Sequence, residues 1–493
     1  MDLSPILVVA REHLAQIEAQ IQDSEQRREK ATQVIAALAK LSVPIRKLPA
    51  ELLSNIFLHA VTPPHWALDY IIDDAARYRL LGEAFAASWG FTCALRLSHV
   101  CRTWRKVSLE TPRMWCFPLP LRKQMASTLD SATMAKQFLG RSYPFTFPLD
   151  VGDMPMDVRK EVLRAMRRVA GLSLVTTQLL EDMIGDNCPF LENLHILSID
   201  LTRSTSASKS PKIVAFLTAA KLARVRLTGI FLPLPWSKLQ ELTLVTDSSI
   251  VSASTCFASI VQCVQLVTLK LTMPIWFEDE PSDPQPPQTL PLLTSLDFCV
   301  AGGDFLFPFF AGLSLPSLRT FALELGLDYG WTPETQDEIT EFFSRSPHLD
   351  KLSLRRCEIN DIDLQEMLVQ TPMLQELKLT TCFEDAFTSS IVEQLTYNPN
   401  DAILRPLVPQ LHSLEVEGFY GEMEDTTLQA MIESRLAENL GVGSAVVGWR
   451  RILLVFAGDG HREREVGELE PLGASLRVRV VQLKASGLDI TIL

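Results

Sequence analysis

The chain lacks an excess of positive charge, a cysteine framework and any long apolar run, and each absence removes a class of function. Its formal net charge is −13. A sequence-independent nucleic-acid binder needs a positive field to exchange for condensed counterions, so no nucleic-acid partner is expected. Nine cysteines are scattered over 493 residues with no CxxC pair. The closest pairs, Cys93/Cys101 and Cys256/Cys263, do not have zinc-ligand spacing. The N-terminal MDLSPILVVAREHL has no basic region ahead of its apolar run, which stops at Ala10, so it does not read as a secretory leader. An odd, dispersed cysteine count without a leader is the pattern of reduced thiols. No stretch approaches the roughly 18–20 apolar residues of a membrane span. These absences lead to the expectation of a soluble protein of the cytoplasm or nucleus, with no membrane partner.

Catalytic constellations are missing as well. There is no HExxH, Walker A or GxSxG sequence, so the zinc, phosphate-loop and nucleophile-elbow chemistries have no carrier. GVGSAVVG (441–448) puts Val446 where a dinucleotide loop requires glycine. His461 and Glu463 read as turn and surface residues. The expectation is a non-enzymatic chain with no cofactor and no metal.

Hydrophobic residues make up 47% of the chain, enough for large cores. Residues 11–41 contain no Gly or Pro and are rich in good helix formers. Leu14, Ile17, Ile21, Ile35 and Leu38 fall on a/d heptad positions, with Ser24, Arg28 and Ala31 in the middle of the seam. This is either a long solvated helix or one arm of a coiled coil. Pro44 ends it. Next comes IRKLPAELLSNIFLHAV (45–61), an amphipathic helix with Pro49 at its head and Glu51 in its first turn, where a negative charge suits the helix dipole. Leu52, Leu53, Ile56, Phe57 and Ala60 recur at helical spacing. Residues 62–92 interrupt the pattern. Leu97, Val100, Cys101, Trp104 and Val107 then resume it, and Thr111-Pro112 marks the break.

The motifs LPAELLSNIF (48–57), LSHVCRTWRKV (97–107) and PRMW (112–115) together resemble the F-box. This is the helical module by which substrate receptors of SCF (Skp-cullin-F-box) ubiquitin ligases dock on a Skp adaptor. The resemblance covers about 70 residues, and its long insertion is similar to those of the large F-box families of mushroom-forming fungi. It implies an adaptor-binding role for Leu48, Pro49, Leu52, Ile56 and Phe57 and for Leu97, Val100, Cys101 and Trp104. Of these, Val100, Cys101 and Trp104 read as either core or contact. A module this small cannot cover all its apolar side chains alone, which suits a helix-in-groove docking.

Beyond residue 117 the chain repeats a unit L-x-x-L-x-L. It reads Val169/Leu172/Leu174, Leu222/Val225/Leu227, Leu239/Leu242/Leu244, Leu266/Leu269/Leu271 and Leu293/Leu296/Phe298. It continues with Leu318/Phe321/Leu323, Leu349/Leu352/Leu354, Leu374/Leu377/Leu379 and Leu411/Leu414/Val416. Between Leu191 and Ile199 two frames are open. From Leu239 the steps are 27, 27, 25, 31, 25 and 37 residues, whereas 222 to 239 is only 17, too short for a helical return. The repeat resembles the leucine-rich-repeat family, with Cys357 and Cys382 at the position that turns back into the stack. A single unit cannot bury its leucines, so neighbours stack into a solenoid.

The expected fold class is thus α/β: a long N-terminal helix (1–44), an all-α F-box (45–116) and an irregular leucine-rich-repeat solenoid or horseshoe (117–493). Phe145, Phe147, Leu149 and Val151 alternate as a strand, and 156–169 reads as a helix with a solvated basic face. An acidic, Pro-rich loop is expected at 275–291. Strands are expected at RILLVFAG, RVRVVQL and LDITIL, with a charged helical stretch before the last two. The resemblance to leucine-rich repeats implies that side chains flanking the middle and last Leu point to the concave face, which makes Thr243, Lys270, Asp297, Ser353, Lys378 and Glu415 candidate contacts for a target protein.

The resemblance implies a substrate receptor that docks on a Skp adaptor, and through it a cullin, while holding an unidentified target. The alternative is a repeat scaffold acting outside ubiquitylation.

Overall fold

A computed structural model describes residues 4–42, 48–62, 90–116, 119–121, 131–184, 190–202, 213–246, 250–273, 287–300, 307–326, 331–382, 386–398, 407–419, 424–436, 440, 446–456 and 474–492. The 62–92 insertion beyond Thr62 and before Gly90, most of the 275–291 loop and the stretch 457–473 with His461 and Glu463 lie outside these residues. The chain divides into two compact units. One comprises residues 1–119 with 138–145, and the other residues 120–137 with 146–493.

The first unit is helical. Helix α1 runs from Ser4 to Ser42 without a break. All its described side chains from Arg11 to Ala36 are exposed. Helix α2, Ala50–Val61, starts behind Pro49, where proline's missing N–H costs nothing. Residues 90–98 form a further helix and Arg102–Leu109 another, followed by a short 3-10 turn at Pro112–Trp115. The expected single helix across 97–107 is therefore two helices. The chain turns at His99–Val100, and Cys101 takes an extended conformation at the head of the next helix, its sulfur accepting the Trp104 N–H at 3.5 Å.

Over its described residues the second unit is a mixed α/β stack around one sheet of fourteen strands, laid down in chain order. They are β1 Leu119–Leu121, β2 Phe147–Val151, β3 Val169–Leu174, β4 Ile196–Asp200, β5 Arg224–Thr228, β6 Glu241–Val245, β7 Thr268–Met273, β9 Ser295–Val300, β11 Thr320–Leu325, β12 Lys351–Arg355, β13 Glu376–Thr380, β14 Ser413–Phe419, β15 Arg451–Phe456 and β16 Asp489–Ile492. Two short strands, β8 Gln288–Thr289 and β10 Leu313–Ser314, pair separately. From β2 to β16 the ladder is parallel throughout. It is a leucine-rich-repeat-like solenoid.

Each strand turns apolar residues inward at alternate positions, as a period of two requires. Leu242/Leu244, Leu269/Leu271, Leu352/Leu354 and Leu377/Leu379 are all buried. Between Leu191 and Ile199 the ladder selects the frame Leu194/Leu197/Ile199, with Leu197 in register with Leu172 and Val225. The short step from Leu222 to Leu239 is bridged without an α-helix, by a single 3-10 turn at Trp236–Lys238. Elsewhere helices such as Pro333–Ser344, Asp361–Gln370 and Asp425–Ser434 make the return. Phenylalanines fill the middle of the stack. Phe310 lies 5.1 Å from Phe342 and 5.9 Å from Phe321, and Phe298 stacks on Phe309 at 4.8 Å.

Strand ends share a backbone device. Gly229, Arg356, Thr381 and Gly418 have φ of 70°, 53°, 49° and 77°, the left-handed region natural to glycine. The turn lets Cys357 and Cys382 point inward, where their sulfurs approach the Leu323 and Leu354 carbonyls at 3.8 and 3.5 Å. Burial pushes the Cys382 thiol up to about 11 and the Cys357 thiol well above its ordinary value, so both behave as small apolar groups. No disulfide joins any two of the eight described cysteines.

Three sequence expectations change. RVRVVQL lies in a helix, Ala474–Ala485, not a strand. Leu476, Val480 and Leu483 are its buried side, and their i, i+4, i+7 spacing lets the stretch serve as a helical return before β16. The helix expected over 156–169 ends at Ala165, and Val169 already belongs to β3. Its basic face is partly committed rather than free: the Arg159 guanidinium bonds the Asp182 carboxylate, with Gln178 at 3.0 Å, and Arg167 lies over the Phe190 ring. Phe145 precedes β2 and stands outside it.

Candidate docking surfaces

The α2 helix carries two apolar stripes. Leu53, Phe57 and Val61, spaced i, i+4, i+8, are buried, with Phe57 at 0% exposure. Its ring meets Trp104 at 4.8 Å, tilted by 56°. The Ser54 hydroxyl bonds the Thr111 hydroxyl at 2.9 Å, and the Trp115 indole donates to the Ser108 carbonyl at 2.9 Å. Trp115 and Phe138 are capped by the Arg141 guanidinium, 4.6 Å and 5.2 Å from their rings. This core packs one side of α2. The second stripe, Leu52 and Ile56, remains 49% and 43% exposed.

The nine residues singled out for docking therefore separate. Leu52 and Ile56 share one exposed face, Pro49 and Cys101 are exposed, and Val100 is exposed at the turn. Leu48, Leu97 and Trp104 are half-buried. Phe57 is corrected from contact to core, because its whole ring is spent on Trp104 and its neighbours. Leu109, which the motif did not mark, is 41% exposed.

In the repeat unit the six residues expected on the outer face do fall on one column of the ladder. Register pairs Thr243 with Lys270, Lys270 with Asp297, Asp297 with Ala322, Ala322 with Ser353, Ser353 with Lys378 and Lys378 with Glu415. Their side chains are largely engaged with one another. Lys270 pairs with Asp297, and Lys378 with Glu415 and, at 3.7 Å, with Glu417. Arg451 approaches Glu415 at 3.8 Å and Asp489 at 3.7 Å. On the flanking columns Lys351 meets Glu376 at 2.8 Å, and Arg355 meets Glu324 at 3.7 Å. The Ser353 hydroxyl is buried and has no hydrogen-bond partner among the described residues.

Burial works against ionisation of Glu415. The hydrogen bond it accepts from Lys378 and the charges of Lys378 and Arg451 outweigh that burial, so the carboxyl sits below its ordinary value. The part of the face from β7 to β16 is thus self-neutralised. On β5 and β6, Arg224, Arg226 and Glu241 make no ion pair among the described residues. Arg226 lies in the same column as the six, between Ser198 and Thr243. Sequence reasoning passed over it because the signal is a register, not a residue type.

Among the described residues, no group of His, Cys, Asp or Glu is placed to hold a metal ion, and no helix is long and apolar enough to cross a membrane. No protein-family model and no curated protein matches the chain. Among solved structures, the crystal structure of a TLR13–ssRNA13 complex is similar, with 14% identity over 71% of this chain and 48% of that chain, at a TM-score of 0.38. The chain thus spans about half the length of that structure. The repeat architecture stands on the strand ladder itself.

Proposed function

We propose that the chain is a non-enzymatic connector, the substrate-recognition subunit of an SCF-type ubiquitin ligase. The helical unit docks on a Skp adaptor, and through it a cullin, while the open face of the sheet holds a target protein. Rate comes from proximity within the assembly, and this chain supplies two binding surfaces.

The observation that carries the reading is the split of α2. A helix with Leu53, Phe57 and Val61 packed and Leu52 and Ile56 left in water has one apolar stripe more than its own unit uses. Exposed apolar side chains on a rigid helix are the usual form of a helix-in-groove anchor. The F-box-like motifs support the reading, because Leu52 and Ile56 are among the residues for which the resemblance implies adaptor contact.

The test is reconstitution with purified Skp adaptor and cullin. Wild type is expected to bring both into one complex, and Leu52→Ala with Ile56→Ala to lose them while remaining folded. Equal recovery by both proteins refutes the docking. Adaptor binding without cullin recruitment points instead to a scaffold outside ubiquitylation. A triple change that included Phe57 would confuse lost docking with lost packing.

A further inference from the structure

Helix α1 is 39 residues long and continuous, yet its apolar residues Leu14, Ile17, Ile21, Val34 and Ile35 all face solvent. A helix polar all round needs no partner, but a heptad seam left in water does. Read along the a/d positions from 14 to 38, the seam is Leu, Ile, Ile, Ser, Arg, Ala, Ile, Leu. Read backwards it is Leu, Ile, Ala, Arg, Ser, Ile, Ile, Leu. Apolar residues occupy both ends and the polar pair sits in the middle.

We infer that α1 pairs with α1 of a second copy of this chain as an antiparallel two-stranded coiled coil centred near Gln26. In an antiparallel pair each a position faces a d position of the partner helix. The register that uses the whole seam sets position 14 against 38, 17 against 35, 21 against 31 and 24 against 28, in both directions at once. That is the isologous pattern a two-fold axis demands. The overlap is roughly 25 residues, about 37 Å of helix.

Charge selects this direction. A parallel pair would put Arg28 against Arg28 within the seam, at a cost in desolvation and repulsion. The antiparallel register puts Arg28 against Ser24, with Glu25 of the same helix beside it, so each Arg28 meets a carboxylate from across the pair. Among the described residues Arg28 makes no ion pair of its own, which leaves it available. Arg27, which approaches its own symmetry copy in this register, is already paired with Asp23 at 2.7 Å. The consequence is a receptor presenting two copies of each binding surface, which raises avidity for a repeated or dimeric target without any new contact. The inference is independent of what the helical unit or the sheet docks on.

The mass of the full chain in solution, followed over dilution, tests it. Wild type is expected to sediment as a dimer at low micromolar concentration. Ile17→Glu with Ile21→Glu is expected to weaken that dimer by about a hundredfold or more with circular dichroism unchanged, since both residues are exposed in the single chain. A monomeric wild type overturns the inference, as does a dimer indifferent to the double change. Ser24→Glu decides the direction. Antiparallel, it sets a carboxylate against Arg28 of the other helix and tightens the dimer. Parallel, it sets Glu against Glu, and loosening would overturn the register.

Discussion

Consider truncating neighbours on α2 that face opposite ways. Phe57 is wholly buried with its ring tilted against Trp104, so Phe57→Ala removes a full aromatic side chain and leaves a cavity, at about 3–5 kcal/mol. Of that, roughly 0.5–1.5 kcal/mol belongs to the ring pair alone. With tenfold for each 1.4 kcal/mol, the open population of the helical unit should rise by a factor on the order of 10² to several times 10³. Leu52 and Ile56 are about half exposed. Completing the burial of each is worth about 1 kcal/mol, half of a full transfer, so removing both should weaken docking by about 2 kcal/mol, roughly thirtyfold. Their effect on stability should stay within about 1 kcal/mol, since they pack against little. Hydrogen exchange of the α2 amides reads the first quantity, and titration with purified Skp adaptor reads the second. If Leu52→Ala/Ile56→Ala accelerates exchange as much as Phe57→Ala does, the division of the helix into packed and free stripes is wrong. If it leaves the affinity unchanged, the docking face is wrong.

The repeat unit offers further checks. Gly418 has φ of 77°, and a Cβ there would lie 3.2 Å from the Thr381 Cα; Gly418→Ala should cost about 2 kcal/mol in urea unfolding, whereas Thr381→Gly should stabilise by about 1 kcal/mol. Arg435 is buried, donates to the Leu395, Val408 and Leu411 carbonyls at 3.0, 3.0 and 3.1 Å, and lies over the Trp449 ring. Arg435→Ala takes this donor from the Leu395 and Leu411 carbonyls, while Val408 keeps the Leu411 N–H at 3.2 Å, and should lower stability by about 3–5 kcal/mol, read as a fall in the urea midpoint. Glu415 has a depressed folded pKa, so its contribution is present above its ordinary value of 4.5 and is lost as pH falls through the folded value. Glu415→Gln should therefore flatten the acid limb of the stability–pH curve, and an unchanged limb would refute its pairing. On the sheet face, Arg226→Glu should weaken target capture more than Lys378→Ala, because Lys378 is already held by Glu415 and Glu417. Pull-down of a target defined by proteomics checks the order.

Much of this was legible in the sequence, and the failures have a common cause. The leucine columns followed from spacing because a period of two leaves little choice once one face is buried. The start of α2 followed from Pro49 and Glu51. What spacing could not do was divide the apolar side of α2. Leu52, Leu53, Ile56 and Phe57 span adjacent stripes, and only the Trp104 ring, brought in from a distant segment, decides which stripe is interior. The same holds at residues 97–107, where apolar spacing runs unbroken across a chain turn that Cys101 caps. In RVRVVQL two periods were present at once, and the need for a return segment before β16 chose the helical one.

The outer face of the sheet shows the limit most clearly. Along the chain, Lys270, Asp297, Lys378 and Glu415 look like scattered charges of both signs, which would suit almost any target. Register places each beside an opposite partner 27 or 37 residues away, and a charge so paired must be stripped of its partner before it can serve a ligand. Exposed pairs of this kind contribute little to stability, about 0–1 kcal/mol each. Their effect is to silence that half of the face, leaving Arg226, which faces Ser198 and Thr243 across the ladder, as a charge of that column with no ion pair among the described residues. A surface that looks non-specific by composition is thus polarised by topology, and the residues that discriminate a target are those the ladder leaves unpaired.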